Sequence, residues 1–139
     1  MIGSNETAGQ MSGNRAFRVG VAVAVVTSLL TVWTTIVRDD GNGIGFFMVI
    51  MAVAVGWFAA GFRPAGMART MLGVAAMQAA VGSLIATAPV TANVPGESVK
   101  ALVFSGVFAL LWLASGAFFR AAAKGERQAA TRHHCGAKP

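Results

Sequence analysis

The sequence predicts an all-α fold: a membrane-spanning, up-down-up-down bundle of four helices with its N- and C-termini in the cytoplasm. Three observations lead there. Of 139 residues, 55% are hydrophobic and only 12% charged, about half the charge of an ordinary soluble domain, and the mean hydropathy is +0.65. The charges bracket four stretches, 19–37, 44–62, 70–90 and 101–119, that contain no Asp, Glu, Lys, Arg or His. The connections at 38–43, 63–69 and 91–100 are short, which forces neighbouring helices to run antiparallel.

Each stretch is long enough to span. Crossing ~30 Å of hydrocarbon at about 1.5 Å per residue takes roughly 20 mainly apolar residues. Four such helices in succession would leave too little polar surface to dissolve a soluble bundle. The first stretch follows Arg15 and Arg18 as a secretory signal would, but it exceeds the roughly 7 to 15 residues of a cleaved apolar core. It ends Thr35-Ile36-Val37-Arg38, without the small residues of a cleavage site, and reads as an anchor that stays. Residues 1–16 are rich in Gly, Ser and Asn without periodicity and read as a mobile polar tail, with Met11 an alternative first residue.

The membrane domain then covers 17–122, and 123–139 form a basic C-terminal tail. Asp39-Asp40-Gly41-Asn42-Gly43 is a run of turn formers between the first two spans. Gly61 closes the second helix, and Pro64 opens the third, where a missing N–H costs little. Pro89, Asn93, Pro95 and Gly96 end the third helix and build the longest loop.

Charge gives the orientation. With the N-terminus inside, Arg15, Arg18, Arg63, Arg69, Arg120, Lys124, Arg127, Arg132 and Lys138 are cytoplasmic, against Arg38 and Lys100 outside. That asymmetry satisfies the positive-inside rule and predicts a multi-pass protein of a bacterial cytoplasmic (inner) membrane. The pI near 11.2 then calls for no nucleic acid, and the basic tail lacks the aromatic interleaving of a nucleic-acid module. The basic rim instead favours anionic lipid head groups, at about 1 kcal/mol per well-placed cation.

Small residues mark the contact faces, because close backbone approach gains dispersion energy where lipid tails are as apolar as Leu. At about 100° per residue, Gly20, Ala24, Thr27, Ser28, Thr31 and Thr35 fall on one stripe of the first helix, opposite Trp33. In the second, Gly45, Ala52, Gly56, Ala59 and Ala60 are expected to pack and Phe46, Phe47, Trp57 and Phe58 to meet lipid. In the third, Gly73, Ala75, Ala76, Ala79, Ala80, Gly82, Ser83 and Ala86 cover about half the circumference. The fourth brings together Ser105, Ala109 and Gly116, beside Trp112.

Candidate functional residues are few. No ionisable group lies within the spans, which removes the usual ion paths and proton relays. The carboxylate that small multidrug transporters carry in their first span is missing. So are the cysteine pairs of a four-helix disulfide-generating oxidoreductase, because Cys135 is alone. Gln78 is the one amide in the spans, and the bilayer core offers it no water. It falls at the depth of Thr27, Ser28 and Trp112, so these four are expected to form an intramembrane polar packing layer. In that layer Gln78 would accept from the Trp112 indole or donate to a helix-one hydroxyl, at about 1 kcal/mol per bond. Bonding to its own backbone or to a partner subunit is the equal alternative.

Met48, Met51, Met67, Met71 and Met77 could suit Cu(I), yet they do not share a face and are expected to fill gaps. His133-His134-Cys135 offers three ligands on a polar tail without a fourth. No metal site, no cofactor and no catalytic residue is expected, and an active site built on Asp39 and Asp40 is the weak alternative to an exposed turn.

The segment Phe62-Arg63-Pro64-Ala65-Gly66-Met67-Ala68-Arg69, followed by Met71, Ala75, Ala76 and Gln78, resembles a pattern in small, uncharacterised four-helix integral membrane proteins of proteobacteria. These carry a similar Phe-Arg-Pro-x-Gly-Met-Ala run. The resemblance covers the second and third spans and implies the four-span layout, but no activity. Physically the segment makes a tight cytoplasmic turn in which Arg63 and Arg69 reach lipid phosphates.

Two functions follow as expectations. The first is a structural, interaction or accessory membrane subunit that is not an enzyme and works through a homo-oligomer or a membrane partner. The second is a small oligomeric transporter or channel for a neutral or weakly polar solute, lined by Gln78, Ser83, Ser105, Thr27, Ser28 and Thr31.

Overall fold

The structure, a computed structural model, describes residues 3–38 and 43–137, with side chains for 11–37 and 44–137. Of the described residues 92% are helical, and none lies in a strand. The helices are α1 (Gly3–Arg38), α2 (Gly43–Ala59), α3 (Pro64–Thr87), the single turn α4 (Pro89–Ala92) and α5 (Glu97–Gly136). Three of them, α1, α3 and α5, carry segments long and apolar enough to cross a membrane, whereas α2 is shorter. At 17 residues α2 reaches about 25 Å, less than the ~30 Å of hydrocarbon.

Element bounds differ from expectation at both ends of the chain. Residues 3–16, read as an aperiodic tail, continue α1, and 123–136 continue α5, so each helix runs well past its apolar stretch. The two continue to pack beyond it: a Cβ on Gly13 would lie 3.8 Å from the Ala122 carbonyl. The turn expected at 39–43 falls, apart from Gly43, outside the described residues, and with it the pair Asp39 and Asp40.

The α2–α3 connection follows from its residues. The Phe62 N–H donates to the Trp57 carbonyl at 3.3 Å and the Gly61 N–H to Phe58 at 3.1 Å, the paired bonds of a Schellman cap. Gly61 takes the left-handed conformation that this cap needs, and Phe62 follows at φ 57°. Left-handed backbone costs a non-glycine residue roughly 1–2 kcal/mol. Pro64 then occupies the first turn of α3. At the other end Ala88, extended ahead of Pro89, stops α3, and Ser98 Oγ ties the start of α5 back to the Ala86 carbonyl at 2.8 Å.

The most extensive interface joins α3 to α5, and α1 packs on the other side of α5; α2 lies on α3 with a smaller contact and touches α1 least. Close approaches set the register. Gly82 meets Ser105 and Gly116 meets Met71 across α3–α5, while Gly45 meets Val81 and Gly56 meets Thr70 across α2–α3, so both pairs run antiparallel. Ser115 Oγ donates to the Gly20 carbonyl at 2.8 Å and fixes α1 on α5.

The core runs along these seams: Ala24, Val49, Val53, Met67, Ala68, Met71, Val74, Ala75, Trp112 and Phe119. Phe17 and Trp57 cap one end of it, edge-on to Phe119 at 5.6 and 6.2 Å. Large apolar side chains face outward on every long helix, among them Leu29, Trp33 and Ile36 of α1, Met51 and Phe58 of α2, Leu84 of α3 and Leu110 of α5. Such an apolar exterior exceeds what a soluble monomer presents, and it marks a membrane protein.

Two expected faces are corrected. In α2 the most buried residues are Val49 and Val53, and Trp57 and Phe46 turn inward, Phe46 against Phe104 at 5.4 Å; only Phe47 and Phe58 of the four aromatics are exposed. In α3 the buried face is not the expected one: Gly73, Ala76, Ala79, Ala80 and Ser83 are exposed, while Met67, Met71 and Gln78 lie inside with Ala75, Gly82 and Ala86. α3 meets α5 along the line of Met71 and Gly82 and α2 along the line of Thr70 and Val81, a face turned away from most of its small residues.

Candidate functional site

Two places in the structure carry polar chemistry, one inside the helix packing and one at the end where α1, the α2–α3 turn and α5 meet.

Inside, Thr27, Thr31, Gln78, Ser105 and Ser115 are buried, and Gln78 is wholly inaccessible. The hydroxyls satisfy themselves on carbonyls. Thr27 donates to Val23 at 2.7 Å and Ser28 to Ala24 at 2.9 Å, each back along its own helix. Thr31 does the same to Thr27, and Ser105 crosses from α5 to the backbone carbonyl of Gln78. Ser/Thr bonding of this kind removes a donor from a lipid-facing or buried position at no cost in partners.

The expected layer is brought together only in part. Thr27, Gln78 and Trp112 are buried and Ser28 half-buried, but the bond drawn from Gln78 to Trp112 or to a helix-one hydroxyl is not formed. Both amide atoms of Gln78 and the Nε1 of Trp112 are buried without a hydrogen-bond partner, as is Nε1 of Trp57. The reason is geometric. Gln78 faces the α3–α5 seam, where Ser105 lies across from it, one turn from Trp112's level. Sequence reasoning missed Ser115, the buried donor that joins α5 to α1; its position one turn from Trp112 and one residue from Gly116 was the available signal.

The methionines divide. Met67 and Met71 are core, Met48 and Met51 are exposed, and no common cluster forms. Among the described residues no group of three or more His, Cys, Asp or Glu side chains is placed to hold a metal ion; Cys135 is exposed and unpaired.

At the basic end, Arg63 and Arg69 are exposed on either side of the α3 start, as are Arg15, Arg18, Arg120, Lys124, Arg127 and Arg132. A cleft of about 400 Å³ opens between α1, Phe62 and Pro64 of the turn, and α5. On the outward face of α1 a shallower apolar hollow of about 440 Å³ is walled by Leu29, Leu30, Trp33 and Ile36; its lining is wholly of the lipid-facing type.

No protein-family model, curated protein or solved structure matches the chain.

Proposed function

We propose that this membrane protein is a four-span, up-down-up-down integral protein of a bacterial inner membrane, with both termini cytoplasmic, that works by association as a structural or accessory subunit and not as an enzyme. The observation that carries this reading is the filled interior. Trp112, Phe119, Met67 and Met71 are fully buried along the α3–α5 seam, no buried ionisable side chain is found among the described residues, and broad apolar faces of α1 and α2 point outward. In this reading α2 is the fourth span, its deficit in length made up by local thinning of the bilayer or by tilt of its neighbours. The proteobacterial family with the Phe-Arg-Pro-x-Gly-Met-Ala run is the proposed kinship.

Exposed arginines and lysines gather where the positive-inside rule puts the cytoplasm. Lys100, at the opposite end, is paired with Glu97 at 2.8 Å. Two measurements test the proposal. The single thiol, Cys135, is expected to react with a membrane-impermeant maleimide only after the inner membrane is opened; labelling of intact spheroplasts would overturn the topology. Purification in mild detergent is expected to yield a complex heavier than one 14.2 kDa chain, and a strictly monomeric, partner-free product would overturn the associative role.

The orphaned Gln78 and Trp112 atoms favour one second reading, an oligomeric channel for a neutral or weakly polar solute. The hydroxyls of Thr27, Ser28, Thr31 and Ser83 weigh against it because they are spent on carbonyls of their own helices. Solute-induced swelling of proteoliposomes separates the two readings.

A further inference from the structure

The cleft at the basic end mixes chemistries that the rest of the rim does not. Its walls are apolar, Phe17, Phe62, Pro64 and Ala122, and its polar side chains are Asn14 and Glu126. Phe17 is held from below by its edge contact with the buried Phe119. Phe62 is held at its left-handed φ by the Schellman turn and is 57% exposed, an aromatic ring set at the cleft's edge at a costly backbone position. Glu126 is the one charged side chain that lines the cleft and the one acidic side chain described at an end that also exposes Arg15, Arg18, Arg63, Arg120, Lys124 and Arg127. Yet it has no ion-pair partner among the described residues.

We infer that this cleft binds the head group of a zwitterionic phospholipid with a primary ammonium, of the phosphoethanolamine type. The inference rests on the membrane placement proposed above. Arg120 closes the apolar stretch of α5, and Glu126 lies about 9 Å further along the helix at 1.5 Å per residue, which is the depth of the head groups. A phosphodiester at the mouth of the cleft is within reach of Arg63, which stands between the lining residues Phe62 and Pro64, and of Arg15, next to Asn14. The ammonium of the same molecule takes the unpaired carboxylate and the face of Phe62, while the acyl chains descend over the apolar exterior. A purely anionic lipid would place nothing favourable against Glu126. A choline head carries the positive charge but has no N–H to donate to the carboxylate, so both charge sign and hydrogen bonding select the primary amine.

The test uses the full chain in mixed micelles holding equimolar phosphatidylethanolamine, phosphatidylglycerol and phosphatidylcholine, with retained lipid read by native mass spectrometry. The wild-type chain is expected to retain the ethanolamine lipid about fivefold over either competitor, one charge-assisted bond at an exposed carboxylate being of that order. Glu126→Gln is expected to abolish the preference, and Glu97→Gln, at the far end, to leave it intact. Equal retention of the three lipids, preference for the glycerol lipid, or an unchanged preference in Glu126→Gln would each overturn the site. So would competition by free O-phosphoethanolamine at the lipid's own concentration, since the assignment is to a lipid. Cys135 labelling, run in parallel, keeps the outcomes apart: a wrong topology defeats the placement, and a correct topology without lipid preference defeats the cleft alone.

Discussion

Where α3 meets α5, Gly82 lies against Cβ of Ser105, an atom that cannot withdraw without moving its backbone, and the Ser105 hydroxyl bonds the Gln78 carbonyl across the same contact. Where α2 meets α3, Gly56 lies against the methyl of Thr70, an atom on a rotatable side chain whose hydroxyl is 3.4 Å from the Gly56 carbonyl. Both seams use small residues, but only the first is closed by an atom that no side-chain rotation can move. In a bilayer, where hydrophobic transfer between helices contributes almost nothing, that difference decides which helices form the rigid part and which one can be displaced. α3, α5 and α1 form the rigid part. α2, short and least attached to α1, is the helix held least firmly.

The sharpest way to break this contrast is to fill both seams with the same atom. Gly82→Ala is expected to cost about 2 kcal/mol in detergent unfolding, because overpacking at a closed seam outweighs the roughly 1 kcal/mol gained in helix propensity. Gly56→Ala is expected to cost less, about 1 kcal/mol, since relief there comes from a change of the Thr70 rotamer, which moves its methyl and hydroxyl together, and not from a backbone shift. Adding Ser105→Gly should recover most of the Gly82→Ala loss, as contacting sites are non-additive. Equal costs at Gly82 and Gly56 would erase the distinction between the seams.

The turn that connects α2 to α3 gives the next effect. Gly61→Ala places a Cβ on a residue at φ +56°, with open space around it, so the loss of about 1 kcal/mol is purely conformational. If α2 is the separable element, proteolysis near the turn should quicken while the α1–α5 contact stays protected. Global melting at a lower temperature without selective cleavage would mean that α2 unfolds only with the rest.

A smaller effect sharpens the α1–α5 side of the comparison. Ser115→Ala removes the bond to the Gly20 carbonyl, and the expected loss is about 0.6 kcal/mol, the average for interhelical side-chain bonds in lipid. The Gly20 carbonyl keeps its place in the helix, so no orphan is created. A loss above about 2 kcal/mol would imply that this bond, and not the close approach of Gly20 to Phe119, whose ring would lie 3.0 Å from a Cβ added at Gly20, positions α1.

How much of this was legible in the sequence depends on what each feature obeys. The charge-free stretches located the three membrane-length helices and the shorter α2 because the bilayer penalises charge at a fixed depth. Their ends did not follow, since α1 and α5 stay helical past their apolar stretches, where the contact of Gly13 with Ala122 is a tertiary feature that no apolar periodicity marks. The stripe of α1 was readable, as Gly20, Ala24, Thr27 and Thr31 are buried together. In α3 the small residues misled: alanine is tolerated on a lipid face as readily as at an interface, and only Met67, Met71 and Gln78 distinguish the inner line. The cleft was invisible because it joins Phe17, Phe62 and Glu126 from three separate parts of the chain.

Gln78→Leu is the smallest change expected and the most discriminating one. Gln78 sits wholly buried in the tight seam with both amide atoms unpartnered. An apolar side chain of similar size removes two desolvated polar atoms without opening a cavity, and such replacements are near neutral or stabilising. The expected outcome is no loss, to within about 0.5 kcal/mol, with the mass of the purified complex unchanged. A loss above about 1 kcal/mol in the monomer would mean that the amide is satisfied inside the chain by internal water, and the seam would no longer be the dry contact on which the comparison rests. A loss of the complex alone would place the partner of Gln78 on another subunit. That would put the associative surface on the α3–α5 side, within the rigid part of the molecule.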